Sequence, residues 1–186
     1  MTLPVGVLLS GGGRTLQNLF DQSRAGELPI DVRCVISDRE QAYGLERARQ
    51  ADVPAYFERD ADRVFELLDE HGVELICLAG YLRLLPIPRK FEGAVLNIHP
   101  ALLPKHGGKG FYGDHVHRAV LEAGDPVTGC TVHLCTNEYD RGPILLQREV
   151  AVQPGDSVDT LAARVFEAEC VAYPQAIQRW IAARDQ

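Results

Sequence analysis

The residues best suited to chemistry are Asn97 and His99, within Val95-Leu96-Asn97-Ile98-His99-Pro100-Ala101-Leu102-Leu103-Pro104. If Val95 to His99 is extended, the two-residue period of a strand sends both side chains to one side. Pro100 lacks a backbone donor and stops the strand at its carboxyl end, which is where ligands bind in open α/β sheets. An amide donor beside an imidazole is what acyl transfer needs, because negative charge develops on the former carbonyl oxygen as the tetrahedral intermediate forms. For His99 to protonate or hydrogen-bond that oxygen near neutral pH, a carboxylate that favours the cation has to stand close by. Asp140, in Thr136-Asn137-Glu138-Tyr139-Asp140-Arg141-Gly142-Pro143, is the candidate, carried by a loop between two strand-like runs. Taken singly, His99 reads as a structural histidine and Asp140 as a turn former. Acting as one unit, they have to lie within about 6 Å of each other.

A second constellation is Ser10-Gly11-Gly12-Gly13-Arg14-Thr15, between an apolar run and the helix-like stretch Leu16 to Phe20. Such a turn aims free backbone N–H groups and a helix N-terminus at one point, which suits a phosphate; Arg14 adds a fixed charge and Thr15 a hydroxyl. The plain alternative is a tight strand-to-helix turn that needs small residues. A dinucleotide fingerprint asks for an acidic residue ending the second strand, a place Asp38 fills, and for a third glycine where Leu16 stands. Leu16 is too bulky for that helix-strand contact, so the loop suits one phosphate better than a pyrophosphate.

These groups need a scaffold. Apolar runs at Val5 to Leu9, Val32 to Ile36, Leu75 to Ala79 and Ala94 to Ile98 are continuous rather than alternating, as in parallel strands covered on both faces. Between them lie helical stretches: Leu45 to Ala51, and a stripe of Val64, Leu67, Leu68 and His71 that ends at Gly72 as C-cap. After Asn97 come a glycine-rich loop, a helix near His115 to Ala123, two β-like runs, Gly129 to Cys135 and Ile144 to Val152, and a last helix. That helix starts at Asp156 or Ser157 and keeps Leu161, Val165, Ala168 and Ala172 on one face until about Trp180. The expectation is an α/β, Rossmann-like fold: one domain over 1–186, with a mostly parallel central sheet, helices on both faces and a mixed C-terminal part.

Composition narrows the partners. The 186 residues are 46% hydrophobic and 24% charged, near the globular average, and no repeat or low-complexity tract interrupts them. A net charge of −7 argues against general affinity for nucleic acid or acidic membranes, so an anionic ligand has to find a locally positive site. Five cysteines, Cys34, Cys77, Cys130, Cys135 and Cys170, form no C-x-x-C pair and read as buried free thiols of a reducing cytoplasm. The N-terminus runs into glycine too early for a signal peptide, and no stretch is apolar enough to span a membrane.

Ser10-Gly-Gly-Gly, Leu78-Ala-Gly-Tyr-Leu-Arg-Leu-Leu85, Asn97-Ile-His-Pro-Ala-Leu-Leu-Pro-Lys105, Gly129-Cys-Thr-Val-His133 and Tyr139-Asp-Arg-Gly-Pro-Ile-Leu-Leu-Gln147 closely resemble the folate-dependent formyltransferases, and among them the phosphoribosylglycinamide formyltransferase family of purine synthesis. The resemblance spans nearly the whole chain. It implies formyl transfer from the co-substrate 10-formyltetrahydrofolate to the glycine amine of glycinamide ribonucleotide, without a metal, by a cytoplasmic enzyme of small molecules that is a monomer or homodimer. By the same resemblance Asn97, His99 and Asp140 are catalytic. Gly12, Gly13, Arg14 and Thr15 face the ribonucleotide phosphate, and Glu169 meets its ribose. Leu82, Arg83, Leu84, Leu85 and Asn97, with Thr136, Asn137, Glu138, Tyr139 and Asp140, cradle the pterin largely through backbone groups, and Arg59 lies near the folate tail.

The chain departs from the family pattern in three places. Arg14-Thr15 stands where a Ser-Asn pair is usual, Arg141 replaces a glycine, and Lys105 to His117 is longer than the usual loop, with Lys109 on a glycine-rich segment that reads as a lid or a flexible surface loop. The sister activities are 10-formyltetrahydrofolate hydrolysis and formylation of an amino sugar or methionyl-tRNA; the hydrolase is expected to bring an extra N-terminal domain, and the tRNA enzyme an extra C-terminal domain and a basic surface. From another class, a nucleotide-binding module would leave His99 and Asp140 apart.

Overall fold

The computed structural model describes residues 2–184, which pack as two compact units divided between Asn97 and Ile98. The first unit is parallel α/β. Its strands are β1 (Leu3–Leu9), β2 (Ile30–Ser37), β3 (Ala55–Phe57), β4 (Leu75–Leu78) and β5 (Val95–His99), in the order β3-β2-β1-β4-β5, and each neighbouring pair runs parallel. Val5, Val7, Leu8 and Leu9 of β1, Val35 and Ile36 of β2, and Leu75 and Ile76 of β4 are fully buried, which explains why these strands read as unbroken apolar runs. Each such side chain contributes about 1.5–3 kcal/mol by leaving water.

The connecting helices are α1 (Arg14–Arg24), α2 (Tyr43–Gln50) and α3 (Ala61–Glu70). Each buries one stripe: Leu16, Leu19 and Phe20 in α1, Leu45 and Ala48 in α2, Val64, Phe65, Leu67 and Leu68 in α3. The Asp60 carboxylate caps α3 by accepting the Arg63 N–H at 3.0 Å. The C-cap is His71, one residue earlier than the stripe implied, and Gly72 follows it in the left-handed conformation. The unexpected element is β3; three residues are too few to show a period, and only the pairing of Val35 to Ser37 with Ala55 to Phe57 reveals it.

The second unit holds α4 (Asp114–Ala123), the antiparallel pair β6 (Val127–Leu134) and β7 (Ile144–Ala151), and α5 (Val158–Arg184). Of the two candidate caps for α5, Ser157 takes the role, its hydroxyl accepting the Thr160 N–H at 3.2 Å. Asp156 instead pairs with Arg164 at 2.8 Å. Leu161, Val165, Ala168 and Ala172 lie on the buried face of α5 as their spacing implied, and the face continues through Tyr173, Ala176 and Ile177. Pro174 sits inside this helix, where it removes one intrahelical donor. All five cysteines are free; Cys34, Cys77 and Cys130 are buried, whereas Cys135 and Cys170 are half-exposed, a departure from the expectation that all five are buried. Among the described residues no helix is long and apolar enough to cross a membrane.

Candidate active site

Strand β5 ends on His99, and Asn97 occupies the alternate position before it, so the two side chains leave the strand on one side while Leu96 and Ile98 are buried. His99 is 3% exposed. Its Nε2 lies 2.8 Å from the backbone carbonyl oxygen of His106, and its Nδ1 lies 3.7 Å from Asp140 Oδ2. A carbonyl oxygen only accepts, so Nε2 carries a proton in either charge state. Nδ1 is therefore the nitrogen at which the ring gains or loses a proton, and it faces the carboxylate across a gap too long for a direct hydrogen bond.

Asp140 sits in the loop between β6 and β7, in the left-handed region at φ 54°. Oδ2 accepts the Gly108 N–H at 2.8 Å, and Oδ1 lies 3.5 Å from His133 Nε2. His133 in turn donates from Nδ1 to the Leu134 carbonyl at 2.9 Å. Burial pulls the Asp140 pKa upward, but the His133 hydrogen bond, the His99 charge and the Gly108 N–H together hold the carboxyl below its ordinary value. For His99 the balance goes the other way: burial pushes its pKa below the ordinary value, and Asp140 and the His106 carbonyl pull it up without restoring it. Asp140 thus acts on His99 in the direction the residue pattern implied, yet the resting ring is neutral because desolvation is the larger effect. A further buried histidine, His117 on α4, is also pushed down by burial, and its Nδ1 has no hydrogen-bond partner.

The glycine loop is built in the first unit. Gly13 caps α1 at φ 72°, a left-handed turn that leaves the first-turn N–H groups of Arg14 and Thr15 at the helix start with no acidic residue beside them. A side chain on Gly13 would stand 2.7 Å from the Gly44 Cα of α2, so glycine is needed for both conformation and space. The loop is tied down through its carbonyls: Gly44 N–H donates to Gly11 O at 3.0 Å and Arg47 Nε to Gly12 O at 2.8 Å. Ser10 links it to the segment after β4, accepting the Leu82 N–H at 3.0 Å and donating its own N–H to the Gly80 carbonyl at 3.0 Å. Leu82 is half-exposed, Arg83 and Leu84 are exposed, and Leu85 is buried. Arg59, exposed after β3, joins Gly11, Gly12, Asp38 and Tyr43 around an open cleft of about 660 Å³. In the second unit Thr136, Asn137 and Glu138 are exposed, Tyr139 is half-buried, and the half-buried Glu169 on α5 lies close enough to Cys130 to add to the burial that pushes that thiol up to about 12. The segment 107–113 has no regular structure and exposes Lys109. Among the described residues no cluster of three or more His, Cys, Asp or Glu side chains is arranged to hold a metal ion.

Reasoning from residue types missed His133, His106 and Gly108. Only His133 left a signal, since Thr131 and His133 fall on one face of a strand by their spacing of two. The other two act through backbone atoms, which every residue possesses.

A sequence profile of the family described as formyl transferase matches residues 4–177. The phosphoribosylglycinamide formyltransferase of Escherichia coli is 40% identical over 95% of this chain and 85% of its own length. The trifunctional purine biosynthetic protein adenosine-3 of Gallus gallus is 42% identical over 94% of this chain, which spans only 18% of that protein. Among solved structures, glycinamide ribonucleotide transformylase 1 from Symbiobacterium toebii superposes with a TM-score of 0.87 at 44% identity, covering 95% of this chain and 86% of that one.

Proposed function

The chain belongs to the formyl transferase family, and from that premise we propose that it passes the formyl group of 10-formyltetrahydrofolate to the glycine amine of glycinamide ribonucleotide, with residues 1–186 working as one formyltransferase domain. The observation that carries this reading is the buried His99–Asp140 pair, 3.7 Å apart, at the end of the strand that also bears Asn97.

The amine attacks the formyl carbon, the carbonyl π electrons move onto oxygen, and a tetrahedral oxyanion results. The Asn97 amide donates to that oxygen, and His99 stabilises it from Nδ1, the nitrogen not committed to the His106 carbonyl. The proton that the attacking amine loses passes to Nδ1 of His99, and Asp140, 3.7 Å away, stabilises the imidazolium until the proton moves to the leaving nitrogen. Collapse of the intermediate re-forms the carbonyl on the new amide and expels the tetrahydrofolate nitrogen, which takes up the proton the amine loses. The left-handed Gly13 and the N–H groups of Arg14 and Thr15 suit the ribonucleotide phosphate, Arg14 adding a fixed positive charge and Gly12 a close backbone approach. Glu169 takes the ribose hydroxyls. The Leu82 to Leu85 segment and the Thr136 to Asp140 loop offer backbone groups to the pterin, and Arg59 a cation to the folate tail.

The test is a formyl-transfer assay on purified protein with 10-formyltetrahydrofolate and glycinamide ribonucleotide, and with water and amino sugars as competing acceptors. Transfer to the ribonucleotide supports the reading; hydrolysis without transfer, or preference for an amino sugar, overturns it.

A further inference from the structure

Lys105-His106-Gly107-Gly108 forms a turn that touches both members of the His–Asp pair. The His106 carbonyl takes the Nε2–H of His99 at 2.8 Å, and the Gly108 N–H reaches Asp140 Oδ2 at 2.8 Å. Two backbone groups of one turn therefore set where the ring and the carboxylate stand. The turn is not a shape the chain adopts without support. His106 has φ 54°, in the left-handed region that a Cβ disfavours, and Gly107 is packed so that any side chain there would overlap Leu103.

The side chains of Lys105 and His106 in this turn are both held by one carboxylate, in the loop between α4 and β6. Asp125 Oδ2 accepts from His106 Nε2 at 2.7 Å, and its Oδ1 pairs with Lys105 Nζ. The His106 and Asp125 side chains are only 12% and 13% exposed, so water competes weakly for this bond. The His106 ring also lies against Phe111, at 6.2 Å between centroids, which ties the glycine-rich segment to the same anchor.

We propose that Asp125 is a positioning residue for formyl transfer. By holding the His106 side chain it keeps the His106 backbone left-handed and its carbonyl aimed at Nε2 of His99, which leaves Nδ1 of that ring turned toward Asp140. The inference rests on the reading of His99 and Asp140 as the reacting pair.

The experiment measures steady-state formyl transfer and the ¹⁵N NMR signature of His99 in wild type, Asp125→Ala and Asp125→Asn. In wild type, above the ring's titration range, His99 shows a protonated Nε2 and a bare Nδ1. Asp125→Ala is expected to lower kcat by about tenfold to a hundredfold with KM for both substrates within about twofold, and to give His99 a mixed tautomer signal. Asp125→Asn keeps an oxygen that accepts from His106 and is expected to hold both kcat, within about threefold, and the His99 signal. A surface ion pair that merely staples a loop would change the thermal midpoint without moving the tautomer. Wild-type kcat and an unchanged His99 signal in Asp125→Ala, or a fall in Asp125→Asn as deep as in Asp125→Ala, overturns the proposal. If Asp125→Ala does not fold, His106→Ala, which keeps the Cβ that disfavours the left-handed backbone and removes the ring that Asp125 holds, is measured in its place with the same expectation. Should the wild type transfer no formyl group, the functional reading fails, while the NMR comparison still decides whether Asp125 orients His99.

Discussion

Replacing Asp140 with Asn keeps the shape of the side chain and an oxygen for the Gly108 N–H, and removes the charge that faces His99 together with the oxygen that faces His133. The consequence follows from the geometry. At 3.7 Å, with side chains 4% and 10% exposed, water screens the pair poorly. An imidazolium and a carboxylate at that distance interact by about 4 kcal/mol at an effective dielectric of about 20. Since about 1.4 kcal/mol corresponds to a factor of ten, losing the whole interaction would deplete the imidazolium nearly a thousandfold. The His106 carbonyl still favours the cation, so turnover is expected to fall on the order of a hundredfold or more rather than to vanish. Burial, unopposed by the carboxylate, also moves the pKa of His99 further down, so the alkaline fall of kcat shifts to lower pH. The assay is steady-state formyl transfer across about pH 6 to 9, with circular dichroism to show that Asp140→Asn is folded. A folded variant with turnover within about threefold of wild type and an unmoved pH profile would remove Asp140 from the chemistry.

Two further outcomes are expected. His99 and His117 are buried with lowered pKa values, so the unfolded chain binds protons that the native protein does not; stability should fall as pH drops below about 6.5, and thermal midpoints from about pH 8 to 5 check this limb. A second loss follows below about pH 4, where the unfolded chain protonates Asp125, Asp140 and Asp156 while the fold holds them below their ordinary values; a midpoint independent of pH would contradict both. Gly13→Ala combines a left-handed backbone at φ 72° with a contact of 2.7 Å to Gly44, and should cost about 1–3 kcal/mol in urea unfolding; a loss below about 0.5 kcal/mol would show that the loop relaxes freely.

Much of the scaffold was legible because its signals are local. Continuous apolar runs marked β1, β2, β4 and β5, and the stripe of α3 marked itself by spacing, since burial on both faces or on one face imposes those periods directly. The three-residue β3 offered no period and appears only when paired with β2. In the site, Asn97 and His99 were readable as a pair because a strand fixes the relation of residues two apart, and Pro100 marked where the strand stops.

The sequence by itself therefore picked out Asn97, His99 and Asp140 as the candidates for the chemistry, and determined that Asn97 and His99 share a strand face. Tertiary structure alone decided how the His99 ring is held. The His106 carbonyl that assigns its proton, the Gly108 N–H that reaches Asp140 across 32 residues, and Asp125, which steadies their turn across 19, are meetings of distant positions. Backbone donors and acceptors are the same at every residue but proline, so no pattern of side chains announces them. The charge of the resting ring was decided the same way. Asp140 favours the cation as its chemistry implied, but desolvation depends on everything packed around His99, and it is the larger effect.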